Sequence, residues 1–496
     1  MKIHLLLSGV ALLALAMPAL AQETPQAFPE SSGLDVPVED TATAEAAPPA
    51  ATGDPVLDRL NALETRIHQL EARNAELEAA NAEVTTRVQK VEVRAATAVQ
   101  SGPAPTFADV GGEFTFKPRG TFQLDYAGYN ERRGGYDYNN GTDIRRARFG
   151  FDGTAYKKWK WRIEAEYVKG VVNLLDAYVQ YPLTPKLTVT VGQHKAPYGL
   201  EANSTDAFNS FLERGMANTA FGAIGAERRV GASLGYASDH LYANVGIFGA
   251  SETVGRNSTT PDEGWGFNGR VVWEPIVDTD KLVHFGVSGY RATNFAANGV
   301  TIEDRPGTRI DGGRIVSVAI TGTAPASGPQ TGAKAATFLG GETALVYGPF
   351  SVQGEYGRVS LDRFGTAPTL EFDGFYVFGS WFLTGESRSF KGGSADRVKP
   401  FNDFDPSAGK WGAVELLVRY DQLDLTEREL SPLARKATSW TGGINWYLNP
   451  NTKFIVNYIR FSGQNSPLYV QSTPAVGAGP RTAKGDVFQT RLQFDF

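Results

Sequence analysis

From Glu113 to the C-terminus, apolar and polar residues alternate with a period of two. In the first such stretch Phe114, Phe116, Phe122, Leu124 and Tyr126 share a face, against Thr115, Lys117, Arg119, Gln123 and Asp125. In the last, Phe488, Leu492, Phe494 and Phe496 oppose Gln489, Arg491, Gln493 and Asp495. Successive strand side chains point to opposite faces, so each stretch predicts a strand with one greasy and one wet side. About 16 such strands fit between residues 113–127 and 485–496, most near the ten residues that a tilted membrane strand needs. Short turns at Tyr181–Pro185, Ser238–Asp239, Gly348–Pro349 and Asn449–Asn451 alternate with long loops at 128–142, 196–226, 251–263, 294–337, 424–436 and 464–484. Turns on one side and long loops on the other predict an all-β, 16-stranded antiparallel transmembrane barrel over residues 111–496. One connection, Thr384–Lys410, falls on the short side yet is long, and is expected to fold inward.

A soluble sandwich would place the apolar face inside. Strand length argues against it, and so do aromatics near strand ends, as in Gly442–Tyr447, which resemble an interfacial girdle. The stretch Leu187–Tyr236 organises the rest: a strand, a polar-aromatic loop, and a second strand. The loop, at about 30 residues and with no helical stripe, is long enough to be functional or disordered. It is expected to fold into the lumen and narrow the channel.

Upstream the texture differs. Lys2, an apolar run from Leu5 to Leu15 and the ending Ala19-Leu20-Ala21 predict a signal peptide over 1–21, cleaved before Gln22. Residues 22–55, rich in Ala, Pro, Thr and Glu, are expected to be a disordered linker. Over 56–100 a heptad sets Leu60, Ile67, Asn74, Asn81 and Val88 on one seam position and Leu63, Leu70, Leu77, Val84 and Val91 on the other. This predicts a periplasmic coiled coil, with a lone amphipathic helix as the alternative. Asparagine at the first seam position leans towards dimers, so the heptad does not fix the oligomer number.

Composition narrows the function. Mean hydropathy is −0.26, and no internal run of about 18 apolar residues follows the N-terminus, which excludes a helical membrane protein there but not a barrel. The net charge of −6 argues against nucleic acid, and the absence of cysteine removes disulfides and thiol chemistry. There is no GxSxG elbow and no metal-ligand spacing among the five histidines, so neither enzyme nor cofactor is expected. An anion channel needs clustered cations instead, because guanidinium and ammonium groups give strong hydrogen bonds to oxyanions and rings of them select anions. Residues of inward parity are Lys117, Arg119, Arg146, Arg148, Arg229, Arg270, Arg419 and Arg491. Asp125, Asp152, Glu274 and Glu415 share that parity, so any single arginine also reads as ordinary wall charge.

Several elements together resemble a known family: Ile144–Arg148, Asp176–Val179, Gly192–Glu201, Phe211–Arg214, Tyr347–Phe350, Leu383–Arg388 and Asn445–Pro450. The chain is similar to the phosphate-selective (polyphosphate) porins of the Gram-negative outer membrane. That resemblance implies a homotrimer in outer-membrane lipid, with inward-folded loops and a cationic path for phosphate, polyphosphate or other small anions. It makes Lys195 the central ligand position, oriented by Asp176, with Tyr198 and Arg214 as further loop contributors. Counting from Leu187, however, His194 faces in and Lys195 faces lipid, where a bare lysine costs roughly 2–4 kcal/mol near the midplane. Either Gly192 permits a bulge, or the strand has ended and Lys195 belongs to the inward loop; the second is expected. The dense arginine ladder of a strongly phosphate-selective member is missing, since 264–275 offers only Arg270. A broader solute porin, or a tether to peptidoglycan through the coiled coil, stands as the alternative.

Overall fold

The computed structural model describes residues 53–95, 104–109, 111–249, 263–293, 295, 299–322, 332–431, 433–470 and 481–496. The expected signal peptide and nearly all of the expected linker lie outside them.

Helix α1 (Pro55–Ala95) is 41 residues long. Its start is set by Pro55 at the first helical position and by Asp54, whose Oδ1 accepts from Val56 N at 2.9 Å. Leu60, Leu63, Ile67 and Leu70 on the expected seam are each more than half exposed.

The second unit is the sheet. Of its 17 hydrogen-bonded strands one is the two-residue Phe107–Ala108, and the other 16 form the barrel. They are β1 (Thr115–Arg133), β2 (Gly141–Ala155), β3 (Trp159–Val168), β4 (Val171–Pro182), β5 (Leu187–Lys195), β6 (Arg228–Ala237), β7 (Leu241–Phe248) and β8 (Gly266–Val277). Next come β9 (Lys281–Thr293), β10 (Ala333–Tyr347), β11 (Phe350–Arg363), β12 (Leu370–Phe382), β13 (Ala413–Asp424), β14 (Lys436–Asn449), β15 (Thr452–Gln464) and β16 (Thr482–Asp495). Each pairs antiparallel with the next, and β16 returns to β1 from Thr121↔Asp495 to Arg133↔Lys484. Phe496 finishes the seam by exchanging backbone hydrogen bonds with Gly120 at 3.0 and 3.1 Å. Closure leaves no strand edge unpaired, which is the condition for a sheet to sit in hydrocarbon.

Burial settles which face is which. Leu339, Phe267 and Val287 are 69%, 63% and 58% exposed, whereas Gln123, Asn445 and Gln489 are 0% exposed. Apolar side chains point out and polar ones in, the reverse of a soluble sandwich.

The sequence reading differs from the structure in several places. Strand β1 runs to Arg133 rather than 127, so part of the expected first loop is strand. On the long-loop side, β3 and β4 are joined by the tight turn Lys169–Gly170, with φ of 56° and 73°, instead of meeting at 172/173. The inward loop, expected to lack helix, contains α2 (Leu200–Asn203), a 3-10 turn (Asp206–Phe208) and α3 (Met216–Gly225). Most of α3 is buried, including Ala217, Ala220, Phe221 and Ile224. A helix covered on all sides has no polar face, so its sequence carries no stripe.

That helix builds the core. Phe221 and Ile224 pack with Ile302 and Val318 from a hairpin (Val300–Asp304 with Val316–Ile320) and with wall residues Phe338 and Phe372. A fully buried side chain of this size contributes roughly 1.5–3 kcal/mol, so the cluster is a dry plug standing inside a wet barrel. The 384–410 connection folds inward, as expected. Its hairpin (Ser389–Lys391 with Ser394–Asp396) meets the loop where Asn203 Nδ2 donates to Ser394 Oγ at 3.0 Å and Ala395 N to Ser204 Oγ at 3.1 Å.

Candidate functional site

Residues 207–213 of the inward loop have little regular structure, so their buried carbonyls need other donors. The wall supplies them. Gln493 Nε2 donates to Ala207 O at 2.9 Å, Lys453 Nζ to Asn209 O at 3.0 Å and Asn445 Nδ2 to Ser210 O at 2.8 Å. Arg491 Nη1 reaches Leu212 O at 2.6 Å and Arg419 Nη1 reaches Glu213 O at 3.0 Å. Arg419 and Arg491, both of inward parity, thus hold the loop to β13 and β16. The Glu213 carboxylate completes the clamp with Arg145 Nε at 2.7 Å, Arg491 Nη2 at 3.1 Å and Arg309 Nε at 3.4 Å. Burial alone would raise its pKa; Arg145, Arg491 and Arg309 overcome this and hold it well below the usual carboxylate range.

On the opposite side Glu355 accepts from Leu200 N at 2.8 Å, Glu201 N at 2.9 Å and Asn218 Nδ2 at 2.9 Å. Asp421 accepts from Met216 N at 2.9 Å and Glu201 from Gly215 N at 2.8 Å, which caps the start of α3. Burial, with Glu355 alongside, pushes the Glu201 carboxyl up to about 7 despite Arg419 at 3.8 Å. The folded value lies above the ordinary 4.5, so this group stabilises the loop fully below that pH and loses its contribution as pH rises through about 7. Thermal stability of the loop, read as the onset of channel noise on heating, is therefore expected to fall from pH 5 to pH 8. Glu201→Gln is expected to flatten that slope.

With the plug and clamps on one side, the open space runs along β1–β6. It comprises a cavity of about 430 Å3 towards the long-loop end and one of about 320 Å3 towards the short-turn end. Four residues line both, and so mark the neck between them: Arg148, Lys195, Asp206 and Arg228. Arg148 Nη1 lies 2.7 Å from Asp206 Oδ2 and its Nε 2.9 Å from Glu166. Arg228 Nε lies 2.7 Å from Asp176 Oδ1. Lys195 Nζ donates to Ala202 O at 3.0 Å and Ser204 O at 2.7 Å, both carbonyls of the inward loop.

Three backbone irregularities deliver these side chains. Between Gln123↔Arg146 and Leu124↔Ile144 the register slips, leaving Arg145 as the extra residue of a β-bulge; neighbours Arg145 and Arg146 thereby both line the larger cavity. The second is at Gly192, where φ is +121°. Strand pairing stays in register to Lys195↔Arg228, so the strand neither ends before Lys195 nor bulges at Gly192. The expectation that Lys195 had already left the strand is corrected: it is the last strand residue, and its side chain still enters the lumen. Across the ladder, Glu227 at φ 62° precedes Arg228, the third irregularity. A Cβ on Gly192 would meet Ala177 O at 2.3 Å in a backbone region that side chains rarely adopt. Gly192→Ala is therefore expected to disturb this ladder and to change single-channel conductance as much as loss of Lys195 does, measured in a planar bilayer.

Of the residues singled out from sequence, Lys195, Asp176, Arg119, Arg146, Arg148, Tyr198 and Arg214 line one cavity or both. Lys117 and Arg229 line neither. Arg229 gives its donors to the carbonyls of Ile224, Ala226 and Gly249 at 2.9–3.1 Å, bracing the end of α3. Arg270 faces a separate cavity near the short-turn end, pairs with Glu342 and donates to Gly393 O at 2.7 Å. Asp176 orients Arg228 rather than Lys195. Tyr198 is 1% exposed and packs on Phe338 with ring centroids 4.8 Å apart, so it belongs mainly to the plug. Parity counting missed Arg145, Arg162, Arg228 and Arg309, which also line the cavities. The doublets Arg145-Arg146 and Arg228-Arg229 were the available signal, because a regular strand can turn only one of two neighbours inward.

Comparison with known proteins agrees with this architecture. The profile of a family described as phosphate-selective porin O and P matches residues 116–496. Porin O of Pseudomonas aeruginosa is 28% identical over 420 residues, spanning 77% of this chain and 89% of that one. An uncharacterised protein of Caulobacter vibrioides is 28% identical over 413 residues, spanning 81% and 78%. Among solved structures, the anion-selective porin of Comamonas acidovorans superposes with a TM-score of 0.50 at 14% identity, covering 77% of this chain and all of that one. The closed barrel, its inverted polarity and these matches identify an outer-membrane protein of a Gram-negative bacterium, and the chain belongs to the phosphate-selective porin O and P family.

Proposed function

We propose that the barrel conducts small anions, phosphate and polyphosphate among them, through the neck between the two cavities. The observation that carries this reading is the charge at the neck, where the four residues that line both cavities are three cations, Arg148, Lys195 and Arg228, and one carboxylate, Asp206. An oxyanion leaving water needs replacement donors, and surrounding low-dielectric walls strengthen each of them. Cavity charge supports the same sign: seven arginines and lysines against four carboxylates line the larger cavity. The family description adds weight to phosphate as the solute.

The test is phosphate block of chloride current in a planar bilayer. Lys195→Gln and Arg228→Gln are each expected to raise the half-blocking phosphate concentration about tenfold, since a hydrogen bond to a charged group contributes roughly 1.5–3 kcal/mol. A block unchanged in both variants removes the neck from the mechanism.

We further infer export by a signal peptide over 1–21 and assembly as a homotrimer, with residues 56–100 forming a periplasmic coiled coil. The exposed seam of α1 supports the last point, because an apolar stripe gains stability only when covered. Cross-linked mass, compared before and after deletion of 56–95, tests whether the coil contributes to assembly.

A further inference from the structure

Asp206 has an unusual surplus of cationic partners. Arg148 Nη1 lies 2.7 Å from its Oδ2, Arg146 Nε lies 3.4 Å from the same oxygen, and Arg214 Nη2 hydrogen-bonds Oδ1. One carboxylate thus faces three guanidiniums; Glu213 does so too, but of the two only Asp206 lines both cavities. Surplus donors confirm the imbalance: Arg146 Nε and Arg214 Nε are buried and make no hydrogen bond among the described residues. Buried donors are rarely left in that condition. Arg146 itself is 7% exposed, so bulk water does not satisfy it. Three arginines converging on one pair of oxygens is the arrangement that binds a tetrahedral oxyanion, and here an aspartate occupies it. The aspartate sits on the short turn Asp206–Phe208 of the inward loop, and it lines both cavities, so an anion in transit must pass it.

We propose that Asp206 is a tethered competitor for the anion seat formed by Arg146, Arg148 and Arg214. A passing phosphate displaces the carboxylate from part of its donors, and the carboxylate returns as the phosphate moves on. A tethered group acts at high effective concentration, so it weakens the seat without abolishing it. Conduction needs that balance, because a site that binds too well holds its ion. The inference rests on the anion-conducting reading above and adds what sets the residence time.

The experiment is phosphate block and single-channel dwell time for the full-length protein with Asp206→Asn. The half-blocking phosphate concentration is expected to fall about tenfold or more, with longer blocked dwells, since one full charge leaves a site only a few ångströms from the ion. A half-blocking concentration that stays or rises, in a channel that still conducts, overturns the proposal. A wild-type channel that prefers cations would instead sink the conduction reading itself, so the two failures are distinguishable. Asp206→Glu keeps the charge on a longer arm and is expected to stay within about threefold of wild type. A tightening of about tenfold or more in Asp206→Glu would mean loop displacement rather than lost competition, and overturns the proposal even where the asparagine variant does not assemble. Acetate added in trans is expected to weaken phosphate block more in Asp206→Ala than in wild type; equal weakening counts against the competitor.

Discussion

Glu213→Ala is expected to release the inward loop and widen the channel. Three arginines from three places, Arg145 on β2, Arg309 beyond the 300–304 strand and Arg491 on β16, converge on this carboxylate within 2.7–3.4 Å. Removing it leaves their charges buried without a partner, and breaking a buried pair from one side costs about 3–5 kcal/mol. The loop's carbonyl bonds to Arg491 and Arg419 are neutral at one end and each contributes less, roughly 1.5–3 kcal/mol. The carboxylate is therefore the largest single hold on the loop. Barrel closure does not depend on it, because β16 pairs with β1 from Lys484 to Asp495. Single-channel conductance should rise severalfold while the folded band on an unheated gel persists. A variant with wild-type conductance would show that the carbonyl bonds hold the loop unaided. The pH dependence has a definite sign. The Glu213 carboxyl is depressed in the folded state, so its contribution is present above the ordinary carboxylate range. It disappears only as pH falls through the depressed value, so acid should mimic the mutation only well below the ordinary carboxylate range.

The double variant Arg148→Gln with Arg228→Gln should reverse the channel's selectivity. Of the cations that line both cavities it leaves only Lys195, with Asp206 still held by Arg146 and Arg214 and with Asp176 and Glu166 deprived of their partners. Two charges at about 4 Å interact with roughly 4 kcal/mol at a protein-surface dielectric, so freeing two carboxylates beside the path outweighs one lysine. A chloride-preferring reversal potential in wild type is expected to become a potassium-preferring one. If anion preference survives in the double variant, the selectivity resides in the vestibules and not in the neck.

How much of this was legible in the sequence follows from what makes each feature. Barrel strands were, because alternation is a property of every strand and needs no tertiary information; the last strand, read over 485–496, is found at Thr482–Asp495. Helix α3 was not, because burial on all sides erases the stripe that betrays a helix. Lys195 illustrates the limit most clearly. Parity placed it towards lipid and the strand was expected to have ended there, yet Lys195 is still strand, and one glycine at φ +121° turns its side chain to the lumen without shifting the ladder. Arg145 escaped for a related reason, since a bulge adds a residue that no count of two anticipates. Arg419 and Arg491 were correctly inward, but the sequence does not say that their donors are taken by loop carbonyls. Whether an inward arginine serves the solute or the scaffold depends on where a loop lands, and that is fixed by contacts more than 200 residues apart, such as Arg419 with Glu213.

The most direct measurement is the reversal potential of the intact protein across a potassium chloride gradient, in a planar bilayer, before any phosphate is added. With Arg148, Lys195 and Arg228 lining both cavities, the potential should take the sign of chloride permeation. A potential of potassium sign would mean that Asp206 and its neighbouring carboxylates govern the neck, and would contradict the account at its centre.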